Sequence, residues 1–264
     1  MLSDIDFQTA KALLAWQIEL GADEALGETP VNRYELAAAA PRPAPAAPQP
    51  SAAPAPHAPA EAADPVAEAR RLADGAADLA ALRDALAAYD HCELKKGARN
   101  LVFADGNPGA RIMVVGEAPG REEDLQGLPF VGRAGQLLDR MFDAIGFGRH
   151  SPDAGRSLYI TNVLPWRPPQ NRDPSPEELG MMLPFVRRHV ELVEPEVLVL
   201  MGNHACQAVL GRKGITRLRG NWTEALGRPA LPMFHPAYLL RNPHAKKEAW
   251  HDLLMLQARL REAG

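Results

Sequence analysis

The chain has 264 residues, 46% of them hydrophobic, and a formal net charge of −4, which is long enough for one large domain with an appendage. No run of roughly 18 apolar residues occurs, which excludes a transmembrane helix, and two cysteines, Cys92 and Cys206, exclude a disulfide framework. Residues 1–80 hold 5 Lys/Arg and 12 Asp/Glu, and residues 81–264 hold 24 and 21, so an acidic N-terminal part precedes a remainder with a net of +3. That balance alone says little about a polyanion partner; a local basic cluster matters more. Asp4 and Asp6 stand where a signal peptide would carry basic residues, so the expectation is a cytoplasmic protein with reduced thiols.

In chain order, residues 4–20 place Ile5, Leu13, Leu14, Trp16, Ile18 and Leu20 among polar positions, the pattern of an amphipathic helix with Ser3 or Asp4 as its cap. Residues 37–65 then hold 14 Ala and 9 Pro in 29 positions. Proline at that density supports neither helix nor sheet and reads as an extended, semi-rigid linker. Three parts are predicted: an N-terminal helical arm over 1–36, the Pro/Ala-rich linker over 37–65, and a compact domain over 66–264. The domain opens with an alanine-rich helical stretch over about 66–90. Beyond it, apolar runs at Ile112–Val115, Leu158–Val163, Val197–Met201 and Leu231–Phe234 read as strands. Helical patterns over 133–146, 175–193, 203–210 and 246–261 alternate with them. This alternation predicts an α/β fold, a three-layer α/β/α sandwich around a mostly parallel four-stranded central sheet.

The segments that carry chemistry sit where these strands end, and loops leaving the carboxyl ends of parallel strands converge on one crevice. Gly116-Glu117-Ala118-Pro119-Gly120 follows the first strand and runs on to Gly127-Leu128-Pro129-Phe130-Val131-Gly132-Arg133-Ala134-Gly135. Glycine there lets the backbone approach a ligand, Phe130 can wall a flat slot, and Gly132 and Gly135 open a helix whose N-terminus suits phosphate. Asn162 closes the second strand with an amide that can read a donor–acceptor edge. Arg167 and Arg172 lie in the proline-rich loop that follows. His235-Pro236 leaves the last strand, and Tyr238-Leu239-Leu240-Arg241 sets apolar residues beside a cation, as in proteins that distort duplex DNA. Each has an ordinary reading as well: Glu117 as a solvated turn residue, Phe130 in the core, Asn162 as a cap, His235 as a structural histidine, and Leu239-Leu240 as the first turn of a buried helix. Convergence at three strand ends favours one pocket.

These motifs, in this order, resemble the uracil-DNA glycosylase superfamily, and family 4 most closely, over about residues 89–256. The resemblance implies a monofunctional DNA-repair enzyme that hydrolyses the N-glycosidic bond of uracil in DNA, leaving an abasic site and free uracil. An enzyme of that kind extrudes the nucleotide and reads its Watson–Crick edge. Glu117 and His235 are the implied catalytic residues. Glu117 would orient water or stabilise the cationic sugar, and His235 would donate to the charge developing on uracil O2. Gly116, Ala118, Phe130 and Asn162 would form the uracil pocket. Gly132, Gly135, Arg167, Arg172, Tyr238, Leu239, Leu240 and Arg241 would hold the DNA. The hydrolysis itself calls for no metal or organic cofactor, and a monomer is expected.

Two departures matter. Family 4 usually carries four cysteines holding an iron–sulfur cluster. Here the corresponding positions read Tyr89, Cys92, Trp166 and Met182, so the expectation is that Tyr89, Trp166 and Met182 pack as an apolar plug. A crosslinking relative carries a basic insertion with a nucleophilic histidine after the Thr161-Asn162-Val163 segment; Arg167-Pro168-Pro169-Gln170-Asn171-Arg172 runs on without one, so covalent trapping on DNA is not expected. The competing readings are a catalytically silent DNA-binding module and a glycosylase for another deaminated base. Residues 4–20 could dock on a protein partner or fold back on their own domain.

Overall fold

The computed structural model describes residues 64–262, and Lys11 besides. The chain divides into two units, Met1–Ala58 and Pro59–Gly264. The predicted arm apart from Lys11, and the linker apart from its last two residues, lie outside the described residues.

The stretch expected to be one helix over 66–90 is two, α1 (Pro65–Asp74) and α2 (Leu79–Ala88). Asp64 caps the first by accepting from the Val66 N–H, and Asp78 caps the second by accepting from the Ala81 N–H at 2.8 Å. Asp at these positions satisfies free amides at a helix start better than it serves a helix interior. The alanine-rich periodicity hides that break. A single turn, α3 (Leu94–Gly97), leads into the sheet.

The sheet has six strands in the order β1 (Ala104–Gly106), β3 (Leu158–Asn162), β2 (Ile112–Gly116), β4 (Val197–Met201), β6 (Arg228–Met233), β5 (Thr223–Ala225). The four inner strands are parallel and correspond to the four predicted ones; β1 and β5 add antiparallel edges. The edge strands were not legible because each has three residues and neither alternates clearly. Strands β2, β3 and β4 are buried at every position, as expected of strands covered on both faces.

The helices form two groups. One packs α1, α2 and α6 (Pro176–Val193) together, with α7 (Gly202–Leu210) beside α6; the other packs α5 (Arg133–Asp143) with α9 (Pro236–Arg241) and α10 (Lys246–Glu262). The result is three layers. Short α4 (Arg121–Gln126) and α8 (Ile215–Leu218) lie in the connections. No described helix is long and apolar enough to cross a membrane. The chain goes from β2 to β3 on one side and later to β4 on the other. The crevice beyond the carboxyl ends of these strands is therefore the switch point where open α/β sheets place ligands.

Candidate active site

Strand β2 delivers Gly116, and its register partner on β3 is Asn162. A Cβ on residue 116 would overlap both Asn162 Oδ1 and the Phe130 ring. Glycine at this position is what lets the amide and the aromatic ring approach each other.

The loop after Gly116 is tied to the loop carrying Phe130 by one carboxylate. Glu123, on α4, accepts from the Gly120 N–H at 3.1 Å, from Val131 at 3.0 Å and from Gly132 at 2.9 Å. Phe130 holds a left-handed backbone, φ 53°, which is uncommon outside glycine and costs free energy. Arg149 holds it there, donating Nη2 to the Phe130 carbonyl and Nη1 to that of Pro129, both at 2.9 Å. The same buried guanidinium is balanced by Asp105 at 2.9 Å and Asp139 at 2.8 Å. Gly135 packs directly under the Phe130 backbone, where a Cβ would collide with it.

On the far side of the crevice, His235 closes β6 and caps α9. Its Nδ1 accepts from the Ala237 N–H at 3.1 Å. A backbone amide can only donate, so Nδ1 is unprotonated and the ring proton of the neutral form resides on Nε2. Burial first, then the positive charge of Arg241, lowers its pKa to about 4 against an opposing pull from Glu123. His235 is thus a neutral hydrogen-bond donor near pH 7. Its ring stacks on Phe130, centroids 5.4 Å apart and planes 28° from parallel.

Glu117, Phe130, Asn162, His235, Tyr238 and Arg241 line one cavity of about 600 Å³, together with Ala118 and Arg172. Segments more than a hundred residues apart in sequence meet there. Asn162 is 6% exposed, and its Nδ2 donor has no hydrogen-bond partner among the described residues. A buried amide donor without a partner costs roughly 1–3 kcal/mol, and this residue also lines the cavity. Glu117, about one-third exposed, has its Oε2 2.7 Å from Nδ1 of His204, whose Nε2 lies 3.8 Å from Asp173.

The profile of the Uracil DNA glycosylase superfamily matches residues 103–254, more than half of the chain. The chain belongs to that superfamily. It is 43% identical over 154 residues to a type-4 uracil-DNA glycosylase of Thermotoga maritima, spanning 57% of this chain and 77% of that one. It is 41% identical over 170 residues to a type-4 enzyme of Archaeoglobus fulgidus, spanning 61% and 82%. To a type-4 enzyme of Pyrobaculum aerophilum it is 33% identical over 193 residues, spanning 67% and 92%.

The residues read from the sequence as DNA-holding fare unevenly in this glycosylase-superfamily chain. Tyr238 and Arg241 line the cavity, and Tyr238 stacks on Phe234 with centroids 4.9 Å apart. The segment read as a loop is the helix α9, which turns Leu239 into the core at 1% exposure and leaves Leu240 half-buried. Leu239 is therefore not an apolar wedge. Gly132 spends its amide on Glu123, and Gly135 packs under the Phe130 backbone, so both shape the loop. Arg172 is exposed but forks onto Glu178 at 2.9 and 2.5 Å, and Arg167 donates to Asn171 Oδ1 at 2.8 Å.

The residues at the four cluster positions do not fit a four-thiolate group. Tyr89, Cys92, Trp166 and Met182 are all buried in the hydrophobic core. The Tyr89 hydroxyl donates to the Pro65 carbonyl at 2.9 Å, and its ring meets Phe185 edge-on at 5.6 Å. Cys92 supplies the single thiol, and burial pushes its pKa up, away from the thiolate form that binds iron.

The sequence reading missed Glu123, Arg149 and His204. His204 alone had an available signal, because it stands three residues past Met201 at the carboxyl end of β4. The roles of Glu123 and Arg149 emerge only when distant backbone carbonyls and amides are brought together.

Proposed function

We propose that this chain is a monofunctional uracil-DNA glycosylase that excises uracil from DNA, leaving an abasic site and releasing free uracil. The observation that carries the reading is Asn162, whose buried Nδ2 has no partner among the described residues and which lines the same cavity as a neutral histidine donor. Uracil O4 accepts a hydrogen bond where cytosine presents an amino group, so a donor at this place accepts one base and rejects the other.

In this mechanism the extruded base stacks on Phe130, whose ring the absence of a Cβ at Gly116 allows to lie against Asn162. The C1′–N1 bond breaks with its electron pair going to uracil, and the charge spreads to O2. His235 Nε2–H donates to that oxygen. An oxyanion donor of this kind is worth roughly 3–4 kcal/mol in other enzymes, and because His235 is neutral beforehand its donation strengthens as the charge develops. Glu117 faces the sugar cation and orients the water whose oxygen joins C1′, and the proton that this water gives up neutralises the uracil anion, which leaves as free uracil. Arg241 and Tyr238 sit at the cavity mouth, positioned for the flanking backbone.

No step uses a metal, and with one thiol among the four family positions we take the fold to be held by packing at Tyr89, Trp166 and Met182 instead of by a cluster. We further take the enzyme to act in the cytoplasm as a monomer. The test is an oligonucleotide with one deoxyuridine, treated with alkali after incubation. A strand break at that position is expected, and intact strand at enzyme excess overturns the reading.

A further inference from the structure

The geometry points to His204 as the positioning residue of Glu117: a histidine on the first turn of α7 that fixes one oxygen of the catalytic carboxylate and leaves the other for the reacting sugar and water. This inference rests on the glycosylase reading and adds a residue to it.

Glu117 stands on a turn bordered by Gly116 and Pro119-Gly120, about one-third exposed. A glutamate there has several freely rotating torsions, and ordering such a side chain costs conformational entropy unless a contact fixes it. Among the described residues, its close ionic contact is His204, Nδ1 to Oε2 at 2.7 Å. His204 is itself well anchored. Its side chain is 11% exposed and grows from a helix that packs on both β2 and β4. Its second nitrogen faces Asp173 at 3.8 Å, so the imidazole lies between two carboxylates, with the neighbouring ring of His235 and the side chain of Arg172 in the same cavity. The Nδ1 contact to Glu117 is the short one; Asp173 is exposed and lies beyond hydrogen-bond distance. Holding Oε2 leaves the second oxygen of Glu117 for the reacting groups. A catalytic group that wanders by about 1 Å loses on the order of a hundredfold in rate, so a contact of this kind belongs to the chemical step more than to DNA binding.

The test uses the full chain, in single-turnover excision from a deoxyuridine oligonucleotide at saturating enzyme, with DNA affinity measured separately. His204→Leu should slow the chemical step by about ten- to a hundredfold and leave DNA affinity unchanged. His204→Asn should recover most of the loss, because its Nδ2 branches from Cγ where Nδ1 does. In a Glu117→Gln background, His204→Leu should change the rate by less than about twofold, since groups acting through one contact are not additive. Thermal melts check folding, and the asparagine variant and the double variant keep the test decisive if the leucine variant is unstable. The inference is overturned if His204→Leu excises at the wild-type rate, if His204→Asn is as slow as His204→Leu, or if the two losses multiply in the double variant. A wild-type chain that releases no uracil removes the glycosylase reading and this inference with it; an active wild type with any of the other outcomes removes only the role of His204.

Discussion

Leucine has the heavy-atom branching of asparagine, so Asn162→Leu removes the amide proposed to read the base while keeping its shape in the cleft between Gly116 and Phe130. In the free protein the Asn162 donor is buried without a partner among the described residues, a penalty of roughly 1–3 kcal/mol that leucine removes. For a domain of this size, each kcal/mol raises Tm by about 2–4 °C, so the variant should melt several degrees higher than the parent. With uracil bound, the same substitution forfeits a hydrogen bond to the base. Taking the same 1–3 kcal/mol, excision should slow by about 5- to 150-fold. Differential scanning calorimetry and single-turnover release of uracil measure the two effects on one preparation. A variant that melts lower and excises uracil at the parental rate would show that the amide serves the fold and not the base.

Three further expectations follow from particular side chains. The pKa of His235 lies near 4 and that of buried His189 near 3, against 6.5 for an ordinary histidine; the unfolded chain therefore takes up protons between pH 6.5 and 4 that the folded one refuses, and stability falls across that window as pH drops. Urea titrations at pH 7 and pH 5.5 read this, and equal stability at both contradicts it. Arg149→Met leaves the carboxylates of Asp105 and Asp139 and the carbonyls of Pro129 and Phe130 without their donor, and should destabilise the domain by about 3 kcal/mol or more; a change below about 1 kcal/mol in chemical denaturation rejects the clamp. Purified chain from iron-replete cells should contain far less than one iron per molecule, and stoichiometric iron overturns the plug of Tyr89, Trp166 and Met182.

Much of this arrangement is written locally in the chain. The four inner strands are built on short apolar runs, and such runs announce themselves in a parallel sheet. Gly116, Glu117, Asn162 and His235 are legible because each stands at a strand end, where topology alone brings side chains together. Edge strands β1 and β5 are three residues long and carry no period. The break between α1 and α2 lies in an alanine-rich stretch, where alanine fits both a helix and its interruption, and only Gly75 at the end of α1 and Asp78 at the start of α2 mark it. Leu239 was misjudged because Pro236 begins a helix there, and helical spacing, not loop exposure, decides which leucine is buried. Glu123 and Arg149 act on backbone groups of Val131, Gly132, Pro129 and Phe130, so nothing in their own neighbourhoods reveals them. His204 is the instructive omission, since the rule that located the other site residues applies equally to the end of β4.

The most direct test of the pocket is a crystal structure of the chain with free uracil. The ring should stack on Phe130, with Asn162 Nδ2 within about 3 Å of O4 and His235 Nε2 within about 3 Å of O2. Uracil bound away from Phe130, or bound there with the Asn162 donor still unpaired, would contradict the proposed pocket.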